Sequence, residues 1–219
     1  MADLLHLRPE DARRVPWKNG RGVTQELALW PPGSSFERGD FDVRISASSV
    51  DEPGPFSPFP GFRRVLVVTR GAGLRLSHGA DAPGAELTRL RPHAFEGEWP
   101  TTAELPYGPV DDFNVIVRRG RMRVDVDVVP LGAAGVLGPF CAAPGTDASA
   151  APPCADVFAH VAEGHALLGL PGHRSPIAVG PRESLLLRNA SPAARLELLP
   201  ASTADAVSGI VLLVRLAPA

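Results

Sequence analysis

The chain has 219 residues, 44% of them hydrophobic and 21% charged, with a formal net charge of -2. That length and apolar content suit one large β domain or two small ones, with a core that needs no covalent staples. The near-neutral balance gives no general pull toward nucleic acid or membrane surfaces. No run approaches the roughly 20 apolar residues of a membrane helix, and Asp3 stands where a signal peptide carries basic residues. The expected location is the cytoplasm. Cys141 and Cys154 flank a loop that they could close as a disulfide, free thiols being the expectation for the cytosol, and two cysteines alone do not make a structural zinc site.

Along the chain, Pro9-Glu10-Asp11-Ala12 predicts a short helical turn, with proline first and acids in the first turn. Period-two runs then predict strands at 23–30, 41–48, 64–69, 74–77, 86–90, 112–118 and 123–129. Further strands are expected at 157–161, 166–170, 177–179, 184–188, 195–199 and 210–216. The 24 prolines and 22 glycines punctuate these runs, which is the pattern of an all-β sandwich or barrel. The basic run Arg118-Arg119-Gly120-Arg121-Met122-Arg123 reads as a solvated hairpin tip, with no aromatic platform for nucleic acid. Residues 131–156 are rich in Ala, Gly and Pro and predict a connector. The expected organisation is an N-terminal β half (1–130) carrying the chemistry, the connector 131–156, and a C-terminal β half (157–219).

The most informative segment is Trp17-Lys18-Asn19-Gly20-Arg21-Gly22-Val23-Thr24-Gln25-Glu26. It gathers a cation, an amide, a hydroxyl and a carboxylate around a glycine turn, where backbone can approach a ligand closely. Strand parity extends the pattern, because alternate residues share a face. Thr24 and Glu26 fall opposite Val23, Leu27 and Leu29. Arg44 and Ser46 fall opposite Phe41, Val43 and Ile45. Asp112 and Asn114 fall opposite Phe113 and Val115. Polar faces of antiparallel sheets often look at water. In a small barrel, however, one face of every strand points inward, and these groups would then converge on a cavity.

Trp17-Lys18-Asn19-Gly20-x-Gly22-x-Thr24-x-Glu26, Asp42-x-Arg44-Ile45-Ser46, Gly54-Pro55-Phe56-Ser57-x-Phe59-Pro60-Gly61 and Asp112-Phe113-Asn114 resemble, in order and spacing, the HutD/Ves family. The resemblance covers about residues 16–119. It departs at Arg21, where the family has a third glycine, at Val43 for an aromatic, and at Arg63 for an acid. It implies a cupin-type β-barrel in a bicupin arrangement. It also implies a small-molecule binding protein with a regulatory role, one branch being linked to histidine utilisation and to intermediates such as formylglutamate.

The expected ligand-binding residues are Lys18, Asn19, Gly20, Arg21, Gly22, Thr24, Glu26, Arg44, Ser46, Phe56, Ser57, Asp112, Phe113 and Asn114. Arg44 offers a planar fork suited to a carboxylate, and Lys18 a second point charge. Asn19 and Asn114 suit an amide or formamide, while Ser46, Ser57 and Thr24 donate or accept. Phe56 and Phe113 are expected as walls, and Glu26 and Asp112 as partners that orient Arg44 and Lys18. The same residues have plainer uses: Arg44–Glu26 as a structural ion pair, Trp17 and the phenylalanines as core, and the Gly-Pro steps as turns. No cofactor and no metal are expected, since none of the six histidines forms a His-x-His pair and His160 and His165 merely flank Glu163 and Gly164. The partner expected is a small anionic metabolite, with a homodimer as a conceivable assembly. The alternative is a cupin enzyme, metal-dependent or isomerase-like, using Lys18 with Glu26 or Asp112.

Overall fold

The computed structural model describes residues 3–17, 22–80, 82–131, 135–137, 156–169, 175–190, 196–199 and 209–219. Among these residues the fold is all-β, apart from a 3-10 turn at Pro9–Asp11 where the proline and acids predicted a helical start. The expected strands at Val23–Trp30, Ile177–Val179 and Ser184–Arg188 have the same bounds in the structure. Most others extend one or two residues further, as Val110–Arg118 and Phe62–Arg70 do. Short strands at Asp3–Leu7, Arg13–Pro16, His93–Glu96 and Thr102–Glu104 carry too few residues to show a period in the sequence.

The strands form two compact units, one of Glu10–Met122 and one of Met1–Pro9 with Arg123–Ala219. These bounds differ from the sequence expectation, and pairing explains why. Asp3–Leu7 zips antiparallel onto Ser184–Arg188, with Leu5 opposite Leu186, so the N-terminus is an edge of the C-terminal unit. Met122–Leu131 is the other edge of that same five-stranded sheet, after Asp156–Glu163 and Gly209–Pro218. The basic turn 119–121 therefore links two units, whereas a hairpin tip would join neighbouring strands of one sheet. Within the expected connector, Gly135–Leu137 is a strand paired with Leu196–Leu199. Its residues 132–134 and 138–155, including both cysteines, lie outside the described residues.

The Glu10–Met122 unit has a six-stranded sheet in the order Arg13–Pro16, Val23–Trp30, Val43–Val50, Val110–Arg118, Phe62–Arg70, His93–Glu96. A four-stranded sheet, Gly54–Pro55, Thr102–Glu104, Gly73–Ser77, Ala85–Thr88, completes it. One core joins them: Val50, Leu66, Val68, Phe95 and Val110 from the first sheet meet Leu74, Leu76, Leu87 and Ala103 from the second. The other unit packs Val157, Ala159, Val161, Leu185, Leu187, Val211 and Leu213 against Ala166, Leu168 and Val179. Each unit thus buries the inner faces of two sheets against each other, the arrangement that keeps alternating apolar residues out of water.

Gly73 shows how tightly the four-stranded sheet is drawn. Its φ is +138°, and a Cβ there would sit 2.3 Å from the Leu87 carbonyl oxygen. Gly73→Ala is expected to cost well over about 1 kcal/mol, since neither strain nor backbone clash can relax cheaply. Gly39→Ala, with a φ of +64° but open space around it, should cost only about 1 kcal/mol. Thermal melts of the two variants check the ranking.

Candidate functional site

The inner face of the six-stranded sheet is read most easily as rows across neighbouring strands. Thr24, Ser48 and Asp112 form one row, and Glu26, Ser46, Asn114 and Leu66 the next. The third runs Leu29, Arg44, Ile116, Arg64, Phe95. Leu29 joins that row because a bulge between Glu26 and Ala28 reverses the parity of the strand. Sequence alternation alone had placed it on the opposite face, and it packs instead beside Ile116 and Phe62. The inner face is therefore polar along two rows and closed by apolar groups at both ends.

These rows floor a cavity of about 410 Å³. Its wall includes Thr24, Arg44, Ser46, Ser48, Arg64, Asp112, Asn114 and Ile116 from the sheet. Val15, Pro16 and Trp17 close one side, and Phe36 with the Pro55–Phe59 loop the other. That loop is pinned by backbone bonds: Phe56 N–H donates to the Thr101 carbonyl at 2.8 Å and Phe59 N–H to the Gly97 carbonyl at 2.7 Å. Trp17 is held by its indole N–H, which donates to Thr24 Oγ1 at 2.9 Å, and Thr24 in turn meets Ser48 Oγ at 3.0 Å. Gly22 lies under the indole, where a Cβ would meet the ring at 2.9 Å.

Seven of the expected residues line the cavity together: Thr24, Arg44, Ser46, Phe56, Ser57, Asp112 and Asn114. Glu26 stands just behind them, accepting from Arg44 Nε at 2.9 Å, a contact common to both expected uses of the pair, orienting partner and structural ion pair. Phe113 is a correction. It is fully buried on the reverse face of its strand, as its parity against Asp112 and Asn114 requires, and it forms no wall. Gly22 acts through the turn, its carbonyl accepting from Trp17 N–H at 2.9 Å. Lys18, Asn19, Gly20 and Arg21 lie outside the described residues.

The residue missed from the sequence is Arg64. It is only 5% exposed and lies over the rings of Phe56, Phe59 and Phe95, with its guanidinium carbon 5.0, 5.6 and 5.0 Å from their centroids. Its Nη1 reaches the Ser57 carbonyl at 3.4 Å, and its Nε has no partner. Among the described residues it forms no ion pair, whereas Arg44 is paired with Glu26. The sequence signal was present: Phe62, Arg64, Leu66 and Val68 alternate on one face, and a lone cation in that series marks a buried charge.

Electrostatics follow from this geometry. Burial pushes the Arg64 guanidinium down to about 10, with Arg44 adding repulsion and Asp112 opposing both, so it stays cationic at neutral pH. Burial likewise pushes the Asp112 carboxyl up to about 7, where Arg64 opposes the shift and Asp111 adds to it. Asp112 Oδ1 and Asn114 Oδ1 are buried without hydrogen-bond partners. A buried cation and two unanswered acceptors thus share one wall of the cavity. Among the described residues, the wall holds no histidine. His78 and His93 instead face each other elsewhere in the unit with Nε2 atoms 3.4 Å apart, and His160 bonds Ser184 in the other unit.

The HutD family model matches residues 9–142, a span that holds the whole cavity wall. The chain belongs to the HutD family. Among its relatives is an uncharacterized 21.2 kDa protein in the hutC 3' region of Pseudomonas putida, 36% identical over 123 residues, or 56% of this chain and 63% of that one. Protein Ves of Escherichia fergusonii is 34% identical over 122 residues, 54% of this chain and 61% of its own. The match thus spans just over three fifths of each relative's length. The first of them ties the family to the histidine-utilisation region. HutD from Pseudomonas fluorescens superposes with a TM-score of 0.72 at 23% identity, covering 99% of this chain and 100% of that one. A cupin 2 conserved barrel domain protein from Leptotrichia buccalis gives 0.52 at 13% identity over 93% and 92% of the two chains, so the fold is of cupin type.

Asp112 gives the free protein a pH signature. An acid whose pKa is higher folded than unfolded binds more protons when folded. Its contribution is complete below the unfolded value of 3.8 and is lost as pH climbs through about 7. Asp112→Asn is expected to remove that slope. Thermal melts should show the variant level with wild type in acid and several degrees more stable above neutrality.

Proposed function

We propose that the protein is a receptor for a small carboxylate-bearing metabolite of the formylglutamate type, and that it regulates histidine or related amino-acid catabolism in the cytoplasm without performing a reaction. The observation that carries this reading is Arg64. A guanidinium out of water is expensive unless something negative answers it, and among the described residues no side chain pairs with it. A bound carboxylate supplies the missing charge with two-pronged geometry. The cavity, at about 410 Å³, sits at the small end of the range for ligand sites, which suits a metabolite and excludes a polymer. Arg44, Ser46 and Asn114 add donors along the same floor. Family membership and the hut-region relative support the pathway part of this reading.

A second reading is an isomerase-like cupin enzyme. It is favoured by one feature, the Asp112 carboxyl held near 7, where an acid–base group works best. Loss of a carbon-bound proton from the bound ligand in deuterated water would reveal it, and an unchanged ligand supports the receptor.

Arg64→Met is the direct test of the receptor. Removing an uncompensated buried charge while keeping its volume should leave the melting temperature unchanged or raised. Affinity for N-formylglutamate by calorimetry should fall about 10- to 150-fold, the worth of one charge-assisted contact. Equal affinity in both proteins contradicts the reading. Arg44→Ala is a poorer probe, because it leaves the buried Glu26 with only Arg13, 4.0 Å away, as a cationic partner.

A further inference from the structure

We propose that anion capture in this cavity takes up one proton, at Asp112, whose neutral carboxyl then donates its O–H to the ligand's carboxylate. The proposal rests on the carboxylate-receptor reading and adds what that reading leaves open, the means by which an acid shares a pocket with an anion.

The argument is a count of charges. Four charged side chains among the described residues meet at the floor: Glu26, Arg44, Arg64 and Asp112. Arg44 and Glu26 answer each other at 2.9 Å, and Arg13, 4.0 Å from Glu26, is itself paired with Glu37. That leaves Arg64 and Asp112, which sum to zero when both are ionised. A carboxylate entering this site brings a second anion against the Asp112 carboxylate, and like charges confined together force one of them to hold a proton. The proton comes from solvent and joins one Asp112 oxygen. No bond in the ligand breaks, and the site returns to neutrality with Arg64 against the ligand.

The surroundings of Asp112 favour its neutral form. From the neighbouring strands it faces Ser48 and, beyond it, Thr24 in its own row; Arg64 on Phe62–Arg70 opposes the neutral form, and Arg44 lines the same cavity. Asp111, next to it in the chain, adds negative charge. Thr24 Oγ1 already accepts from Trp17 and meets Ser48. Asp112 Oδ1 receives no hydrogen bond at all, so the anion has no donor to stabilise it there. The free carboxyl's position near neutrality places the uptake in a usable range.

Calorimetry with N-formyl-L-glutamate and with formate, at about pH 8 in buffers of different ionisation enthalpy, counts the protons. For wild type the observed heat should vary with buffer enthalpy with a slope near one proton taken up, and affinity should fall about tenfold per pH unit above about pH 7. In Asp112→Asn, a neutral side chain of the same shape, the slope should vanish, the pH dependence should flatten, and affinity in alkaline buffer should exceed that of wild type. Binding by wild type with no proton uptake overturns the proposal, as does uptake that survives in Asp112→Asn. Absence of heat from either probe in both proteins overturns the receptor reading itself, and the proposal with it.

Discussion

One buried guanidinium organises this site. A cation at Arg64 is tolerated in the core because three aromatic rings and one carbonyl surround it, and none of them neutralises it. Quadrupole attraction from rings contributes about 0.5–2 kcal/mol each, which is less than the cost of leaving water. Asp112 offsets part of the remainder when ionised, and what is left is a standing electrostatic demand on whatever enters the cavity. The aromatic loop that shields Arg64 also walls the cavity, and Gly97 and Thr101 hold that loop by its backbone. Shape and charge of the site therefore depend on the same short segment, Gly54 to Arg64.

The sheet turns this demand into a graded surface. Its register sets Arg44 and Arg64 on either side of Ile116, so the two cations share a row without touching. Glu26 quiets the first and leaves the second. One row away, Asn114 and Ser46 offer hydrogen bonds, and beyond them Asp112 closes the floor. The other unit packs Val, Leu and Ala between its two sheets and also buries a hydrogen-bonded pair, His160 and Ser184. Among the described residues, the cavity wall belongs to one unit, and the other repeats the two-sheet plan around a hydrophobic interior.

Much of this was legible in the chain. Period-two alternation located the long strands, and polar pairs at i, i+2 identified Thr24, Arg44, Ser46, Asp112 and Asn114 as residues of one surface. What alternation could not show was long-range pairing. Asp3–Leu7 is five residues that acquire meaning only beside Ser184–Arg188. Leu29 changed face because a bulge lies in the hydrogen-bond ladder, which no count of residues reveals. Phe113 was assigned a wall position although its own parity opposed it, and the structure follows the parity. Arg64 escapes notice because it alternates with Phe62, Leu66 and Val68, a series that reads as core.

The central claim is that Arg64 is the anchor for an anion. The most direct measurement is nitrogen-detected NMR of arginine side chains during titration with formate, the smallest carboxylate. The account expects the Arg64 Nε–H signal to move saturably, while Arg118, already bonded to Asp42 and backbone carbonyls, stays still. An Arg64 signal that does not move while other arginines respond would contradict it.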